Sequence, residues 1–577
     1  MILRKYILFI GLFFFHTIAA QSFLNLDFEK TNSNNLPLKW DFKKGGYSYQ
    51  IDSNAKFAGK KSFQITSHSP KNTDSASLYT LLPAHLLKGK ELHITAKVKI
   101  NSNQNGNAGL WIKVIDAKKA IISFDNMKNQ RITGITDWKE ISLTMKISSE
   151  AEKIMMGGLF EGKGTVWFDD FTITSNQMPI EDISKRENLN QEELTLLKKY
   201  IYPIKTYDPE YNTNQDLEIL KKLIGNSKIL ALGESTHGSS EIFKMKDRMI
   251  RYLIQNNNFN IFSIEARMPE SYQVNNYIIK GEGSPENYLK AMDFWTWRTH
   301  EVLKMTEWMK KYNEASKRKV LFTGFDMQDF YTPIHELKKE YNGNPSIIEK
   351  LEELRLLLSK FKDKKQKSSI AVMDKEDKAA ADSIISVIKN QIGTVKSGKI
   401  DLKWINQYLR LLEQNTELNS YSRDKFMAEN ILWIKNQNPD SKIILWAHNG
   451  HINKEPIRMG KYLSDQLGKD YTAIGFAFYS GQYTAKGENG ITAYNAQEPY
   501  AGTYEYFLHS VNEPYFILDI KKIKEDNNEK LKWLIKELDL RITGARNKPD
   551  EFRHKNISED FDYLIFIDQS TASVLLK

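Results

Sequence analysis

KILALGESTHGSSEIFKMKDRMIRYLI, residues 228–254, reads as a strand, a polar turn and a helix in that order. Ile229 to Leu232 is a short apolar run, and beyond the turn the apolar residues recur at helical spacing. The turn holds Glu234 and His237, two titratable groups three residues apart where the strand hands over to the helix. In open α/β sheets, ligands and catalytic groups collect in the crevice outside the carboxyl ends of the strands. The turn is therefore the first candidate for chemistry, and its weight depends on what other strands bring to the same edge.

Working outward, the helical patterns QEELTLLKKYIYPI and NQDLEILKKLIG precede this stretch. NIFSIEA, KVLFTGFD, KIILWAH, YTAIGFAF, YFILDI and YLIFID follow it as strand-like runs separated by helical patterns. That alternation predicts a mostly parallel α/β sheet over 191–577. A helical insertion, about 346–437, interrupts it, and its charged, Ser-rich middle from Lys362 to Asp382 is expected to be exposed or mobile. Residues 21–175 differ: SFQIT, ELHITAKVKI, AGLWIKVID, DWKEISLTMKI and GTVWFDDFTI are short alternating runs between turn residues. They predict an all-β sandwich, joined to the α/β part by a polar linker at 176–190. NLDFEKTNSNNLPLKW and VWFDDFTI resemble the two ends of carbohydrate-binding-module-like jelly rolls. The resemblance implies a closing strand paired with the first, a structural calcium site that Asp169 or Asp170 would serve, and glycan binding. A solvated Asp pair and a purely structural module are the plainer alternatives.

At 577 residues the chain is long enough for two or three domains. Residues 1–20 carry Arg4 and Lys5, then YILFIGLFFF, then HTIAA, the layout of a cleavable signal peptide cut after Ala20. The apolar run is too short for a membrane anchor, which needs roughly 20 residues, and no later stretch reads as an integral membrane segment. There is no cysteine, which excludes disulfides, thiolate metal sites, a cysteine nucleophile and a lipid-modified cysteine. Export without cysteine suits a bacterial periplasm or cell exterior. Lys and Arg exceed Asp and Glu by 82 − 72 = 10, spread thinly rather than clustered as a nucleic-acid surface requires.

Four predicted strands end in titratable residues: Glu234 with His237, Glu265, Asp326, and His448 with His451. Any one alone is more often a helix cap or a structural histidine; four on one sheet edge form a candidate site. Ser235 is not in the G-x-S-x-G elbow that exposes a hydrolase serine. A histidine held by Glu234 or Glu265 could take a proton from water. His448 or His451 could then position that water or protonate a leaving alkoxide. The same side chains could instead hold a metal, since Glu234-x-x-His237 and His448-x-x-His451 are short nitrogen and oxygen spacings. Trp295, Trp297, Arg298 and Glu301 read as core or groove lining, or as an apolar wall with polar handles for a large substrate.

GESTHGSSEIFKMKDRMIRYLI, IFSIEAR, WTWRTHEVLKMTEWM, FTGFDMQ, SRDKFMAENILW, ILWAHNGHI and GKYLSDQLGKDYTAIGF together resemble the erythromycin esterase family, from Leu217 onward. The resemblance implies hydrolysis of an ester or lactone with no required cofactor, His237 as general base on water and Glu234 as its partner. It also implies active-site places for Glu265, His448 and His451, and a substrate-side place for Lys246, where macrolide esterases can carry Arg. Arg248, two residues on, points elsewhere on a helix. The substrate is expected to be a small-molecule or glycoconjugate ester; a macrolide need not be the natural one, since an exported chain with an extra β-domain suggests a polymer, glycan or glycoconjugate ester. A metal-dependent hydrolase and a non-catalytic glycan-binding surface protein are the alternatives. The exported chain is expected to begin at Gln21, which its intact mass reads directly; a mass that retains residues 1–20 contradicts the signal reading.

Overall fold

The structure is a computed structural model that describes residues 24–576, apart from 32–34, 44–45, 68–74, 83, 117–118, 181–187, 293, 368–370, 395–399, 489 and 549–550. The signal segment 1–20 lies outside the described residues. The chain divides into two compact units, Met1–Lys185 and Arg186–Lys577.

The first unit is two antiparallel sheets. One runs Asp41–Lys43, Ser75–Leu82, Ala151–Glu161, Asn107–Asp116, Ile121–Asp125; the other runs Tyr47–Asp52, Ser62–Ser67, Thr165–Ser175, Glu91–Asn101, Ile135–Lys146. Alternate residues point inward along Ser75–Leu82, and Leu78, Ile112 and Ile154 of one sheet share a core with Ile65, Ile94 and Val166 of the other. One expectation from the jelly-roll resemblance, the pairing of the closing strand with the first, is corrected. The closing strand pairs with Ser62–Ser67 and Glu91–Asn101, and it meets the opening stretch through the bond from Phe171 N–H to Leu26 O, 3.0 Å, and through packing of the Phe171 ring on Phe28 and Trp40. Asp169 is buried. It accepts the Phe57, Ala58 and Asp170 amides at 2.7, 3.1 and 2.8 Å, so it ties a loop to the closing strand. Burial pushes its carboxyl up to about 6 against those three donors.

The second unit is an α/β sheet. Its strands are β1 (Ile201–Pro203), β2 (Ile229–Leu232), β3 (Phe259–Arg267), β4 (Leu321–Asp326), β5 (Lys442–Trp446), β6 (Tyr471–Gly487), β7 (Tyr515–Leu518) and β8 (Tyr563–Ser570). Their order across the sheet is β1-β7-β8-β6-β2-β5-β3-β4, and a ninth strand, Gly490–Asn495, pairs antiparallel with the far end of β6. From β8 to β4 every pairing is parallel; β7 and β1 add an antiparallel edge. Helix α1 (Ser240–Asn256) follows β2, α2 (Met268–Lys280) follows β3, and α3 (His300–Ala315) precedes β4. Between β4 and β5 lie α4 (Pro345–Lys367), α5 (Lys375–Thr394), α6 (Leu402–Glu417) and α7 (Arg423–Gln437). Among the described residues no helix is long and apolar enough to cross a membrane.

Local chemistry fixes the carboxyl edge. All four residues of β2 are buried, as a strand covered on both faces requires. Ser239 caps α1 by accepting the Ile242 amide at 3.2 Å. A side chain at Gly233 would run into Asn449 Oδ1, and one at Gly238 into the Thr484 carbonyl. Asn449 uses the space at Gly233 to bond both backbone groups of Phe476 in β6, at 2.8 and 3.1 Å. That side chain thus locks the turn after β5 to β6 across the end of β2. Arg248 points away from this edge, paired with Asp216 at 2.6 Å and capping the Thr206 and Thr213 carbonyls.

Candidate active site

The turn after β2 brings His237 Nδ1 within 2.6 Å of Glu234 Oε1. The carboxylate accepts, so Nδ1 carries the hydrogen and the lone pair lies on Nε2. Glu234 is fully buried, and its other oxygen accepts Lys246 Nζ from α1 at 2.8 Å and the Trp446 indole N–H from β5 at 2.7 Å. The His237 side chain keeps 11% exposure, and among the described residues Nε2 makes no hydrogen bond and is not sealed in. Trp297 stands edge-on to the ring, centroids 5.9 Å apart. The Trp297 indole donates to the Glu265 carbonyl at 2.9 Å.

Beside this pair lies a second group. Pairing of β3 with β4 slips between Ile264 and Arg267, an irregularity of the kind that re-aims side chains near sites. It places Glu265 where Oε2 accepts the His448 amide at 3.0 Å and Oε1 accepts Arg423 Nη2 at 2.9 Å. Arg423 also grips Asp326 at 2.6 Å. His451 lies between two carboxylates, Nε2 at 3.2 Å from Glu265 and Nδ1 at 2.7 Å from Asp424. Arg423 Nη1 is 3.2 Å from His451 Nε2, a like-charge approach that the shared Glu265 offsets.

Burial alone would lower the charge on His451, but Glu265 and Asp424 outweigh it and push its pKa up to about 10. Burial would raise Glu265, yet His451, Arg423 and His237 hold it well below the usual carboxylate range. His448 goes the other way: burial first, then His237 and His451, push it well below its ordinary value. It stays a neutral ring, accepting the Gly450 amide on Nδ1 at 3.1 Å and donating from Nε2 to the Ser235 carbonyl at 3.3 Å. Its ring centroid is 5.0 Å from that of His237. Burial also holds the Lys246 ammonium down to about 8 against the pull of Glu234 and Glu265, so the charge persists at neutral pH.

Glu234, His237, Glu265, Asp326, His448 and His451 therefore converge in one network, with Lys246 and Trp297 behind it. The substrate-side place expected for Lys246 is corrected: Lys246 has no exposed surface, and nor does Asp326 at the end of its strand, so neither reaches a substrate; each holds another side chain. Glu301 is corrected too. It is buried, accepting Ser240 Oγ at 2.6 Å and the Val574 amide at 3.3 Å. It anchors the segment after β8, which also bonds the Gly238 and Arg298 carbonyls. Trp295 and Arg298 are half-buried on the short turn before α3. Sequence reasoning passed over Arg423, Asp424 and Trp446. The Ser235 hydroxyl is buried without a partner, which closes it off as a nucleophile. Among the described residues no set of three or more His, Asp or Glu side chains is arranged to hold a metal ion.

Because the folded His451 pKa lies above its ordinary 6.5, its charge stabilises the fold fully below about 6.5, and that contribution is lost as pH rises toward about 10. The stability deficit of a His451→Gln variant, read by urea unfolding, is expected to be largest near pH 6 and to narrow steadily by about pH 9.5. A deficit independent of pH would mean that His451 is not held as an imidazolium.

Comparison with known proteins adds a lineage. Residues 254–570 match the erythromycin esterase family model, which begins after His237 and includes Glu265, Asp326, Arg423, His448 and His451. YbfO of Bacillus subtilis is 24% identical over 413 residues, 64% of this chain and 90% of the relative. Erythromycin esterase type II of Escherichia coli is 25% identical over 371 residues, 56% of this chain and 88% of the relative. A crystal structure of a Bacillus cereus protein superposes on 67% of this chain and 99% of its own, with 25% identity and a TM-score of 0.57. With more than half its length matched by one family model, this chain belongs to the erythromycin esterase family of hydrolases.

Proposed function

We propose that this chain is an exported carboxylic ester hydrolase that cleaves an ester or lactone with water activated by His237. The observation that carries the reading is the 2.6 Å bond from His237 to Glu234, which leaves Nε2 as a base at the open edge of the ring. In the reaction, Nε2 takes a proton from water as the oxygen adds to the substrate carbonyl. The tetrahedral oxyanion forms beside the Arg423 and His451 cations, whose side chains keep 20% and 16% exposure and supply positive charge where negative charge develops. The His237 imidazolium then returns its proton to the leaving alkoxide. The bond to the alkoxide breaks, giving carboxylic acid and alcohol. Glu234 keeps the ring in one tautomer by accepting from Nδ1.

The signal-like residues 1–20 support export to the periplasm or beyond. The sandwich supports a carbohydrate-binding, jelly-roll module, whose glycan a screen of the whole chain on a glycan array would identify. Together they favour a glycoconjugate or other small-molecule ester over a macrolide, although the Escherichia coli relative is named for erythromycin. The test is an ester and lactone panel that includes a macrolide, run on the parent and on His237→Ala. A substrate turned over by the parent is expected to lose about 10²–10⁴-fold in rate in the variant and to be unaffected by chelator in the parent. Equal rates sink the general-base mechanism, and chelator inhibition reversed by added metal replaces it with a metal-dependent one.

A further inference from the structure

Lys246 has no exposed surface, and its ammonium lies 4.2 Å over the Trp446 ring and 5.8 Å from that of Phe476. A buried ammonium is expensive unless it is paired, and Lys246 pairs with Glu234 Oε2 at 2.8 Å. The Trp446 indole N–H shares that same oxygen at 2.7 Å. The two donors occupy one side of the carboxylate, so Oε1 is left to His237. Lysine suits this division because it is a single point donor. A guanidinium fork at this place would be shaped to take both oxygens.

We infer that Lys246 and Trp446 are positioning residues: together they fix which Glu234 oxygen meets His237, and the Lys246 charge balances that of Glu234. A lone buried carboxylate 2.6 Å from the ring would hold the imidazole protonated well into the alkaline range. With the ammonium on its far oxygen, the couple is nearly neutral, and the carboxylate's pull on the ring proton is offset. This rests on the general-base reading of His237 and names what sets the pH at which that base becomes available.

The other groups around the ring are accounted for. From the turn after β5 comes His448, whose donor and acceptor nitrogens are both committed. From β3 comes Glu265, whose charge is met by Arg423 and His451. Trp297 and the backbone of Gly544, which accepts the His237 amide at 3.3 Å, complete the surround. Lys246 is thus the cation that acts on the ring through Glu234.

The test is the titration of the His237 ring by NMR in the full chain, with histidine ring labelling and a His237→Asn variant to assign the signal. Lys246→Gln keeps a donor and removes the charge; its His237 midpoint is expected to rise by about one pH unit or more. Trp446→Phe removes a donor and keeps the charge, and its midpoint is expected to move far less. Glu234→Gln/Lys246→Met removes both charges together and leaves no buried ion, so it stays informative if Lys246→Gln does not fold. Its midpoint is expected at or below that of the parent. An unchanged midpoint in folded Lys246→Gln, or a raised one in the double variant, overturns the inference. The titration uses no substrate, so it succeeds or fails independently of the ester panel.

Discussion

The site depends on how one buried carboxylate divides its oxygens. Glu234 has no contact with solvent, so every lone pair must be met from within the protein. One oxygen faces α1 and β5, where Lys246 and Trp446 supply the donors, and the other faces the turn, where, among the described residues, His237 alone reaches it. The turn, the helix that follows it and the sequence-distant β5 must therefore be in register before the histidine has a defined tautomer. The Asn449 bonds across the end of β2, and the absence of a side chain at Gly233, are what bring those elements to the required spacing.

A second constraint is charge sorting over a short distance. His448 and His451 lie one helical turn apart with rings 6.5 Å from each other, yet their surroundings drive them to opposite states. His448 sits among backbone groups and other imidazoles and is kept neutral. His451 sits between Glu265 and Asp424 and is kept charged. Such splitting of like groups by environment is how one site obtains both a neutral wall and a fixed cation. The strand slip at Glu265 matters for the same reason, since that carboxylate serves His451, Arg423 and the His448 amide at once.

Much of this was legible because strand ends are legible. Apolar runs that stop at Glu234, Glu265, Asp326 and His448 mark the carboxyl edge of a parallel sheet, and adjacency there follows from fold class. What was not legible depends on side-chain direction. Trp446 closes an apolar run and reads as core, and only its indole N–H, aimed at Glu234, ties it to the site. Arg423 opens a helix after a long tract with no strand to give its direction, and it resembles any solvated charge at a helix start. Lys246 was placed on the substrate side because its position along α1 says nothing of depth. The two readings of Glu301, core or polar handle, could not be separated because its partners, around Val574, lie at the far end of the sequence.

The central claim is that the His237 ring, held by Glu234, is the base whose deprotonation switches the reaction on. The direct measurement compares two midpoints in the parent chain: the acid limb of kcat/KM for whichever ester it hydrolyses, and the NMR titration of the His237 ring. The account predicts that they coincide, because kcat/KM reports ionisations of the free enzyme. Midpoints separated by about one pH unit or more would assign the kinetic ionisation to another group and contradict it.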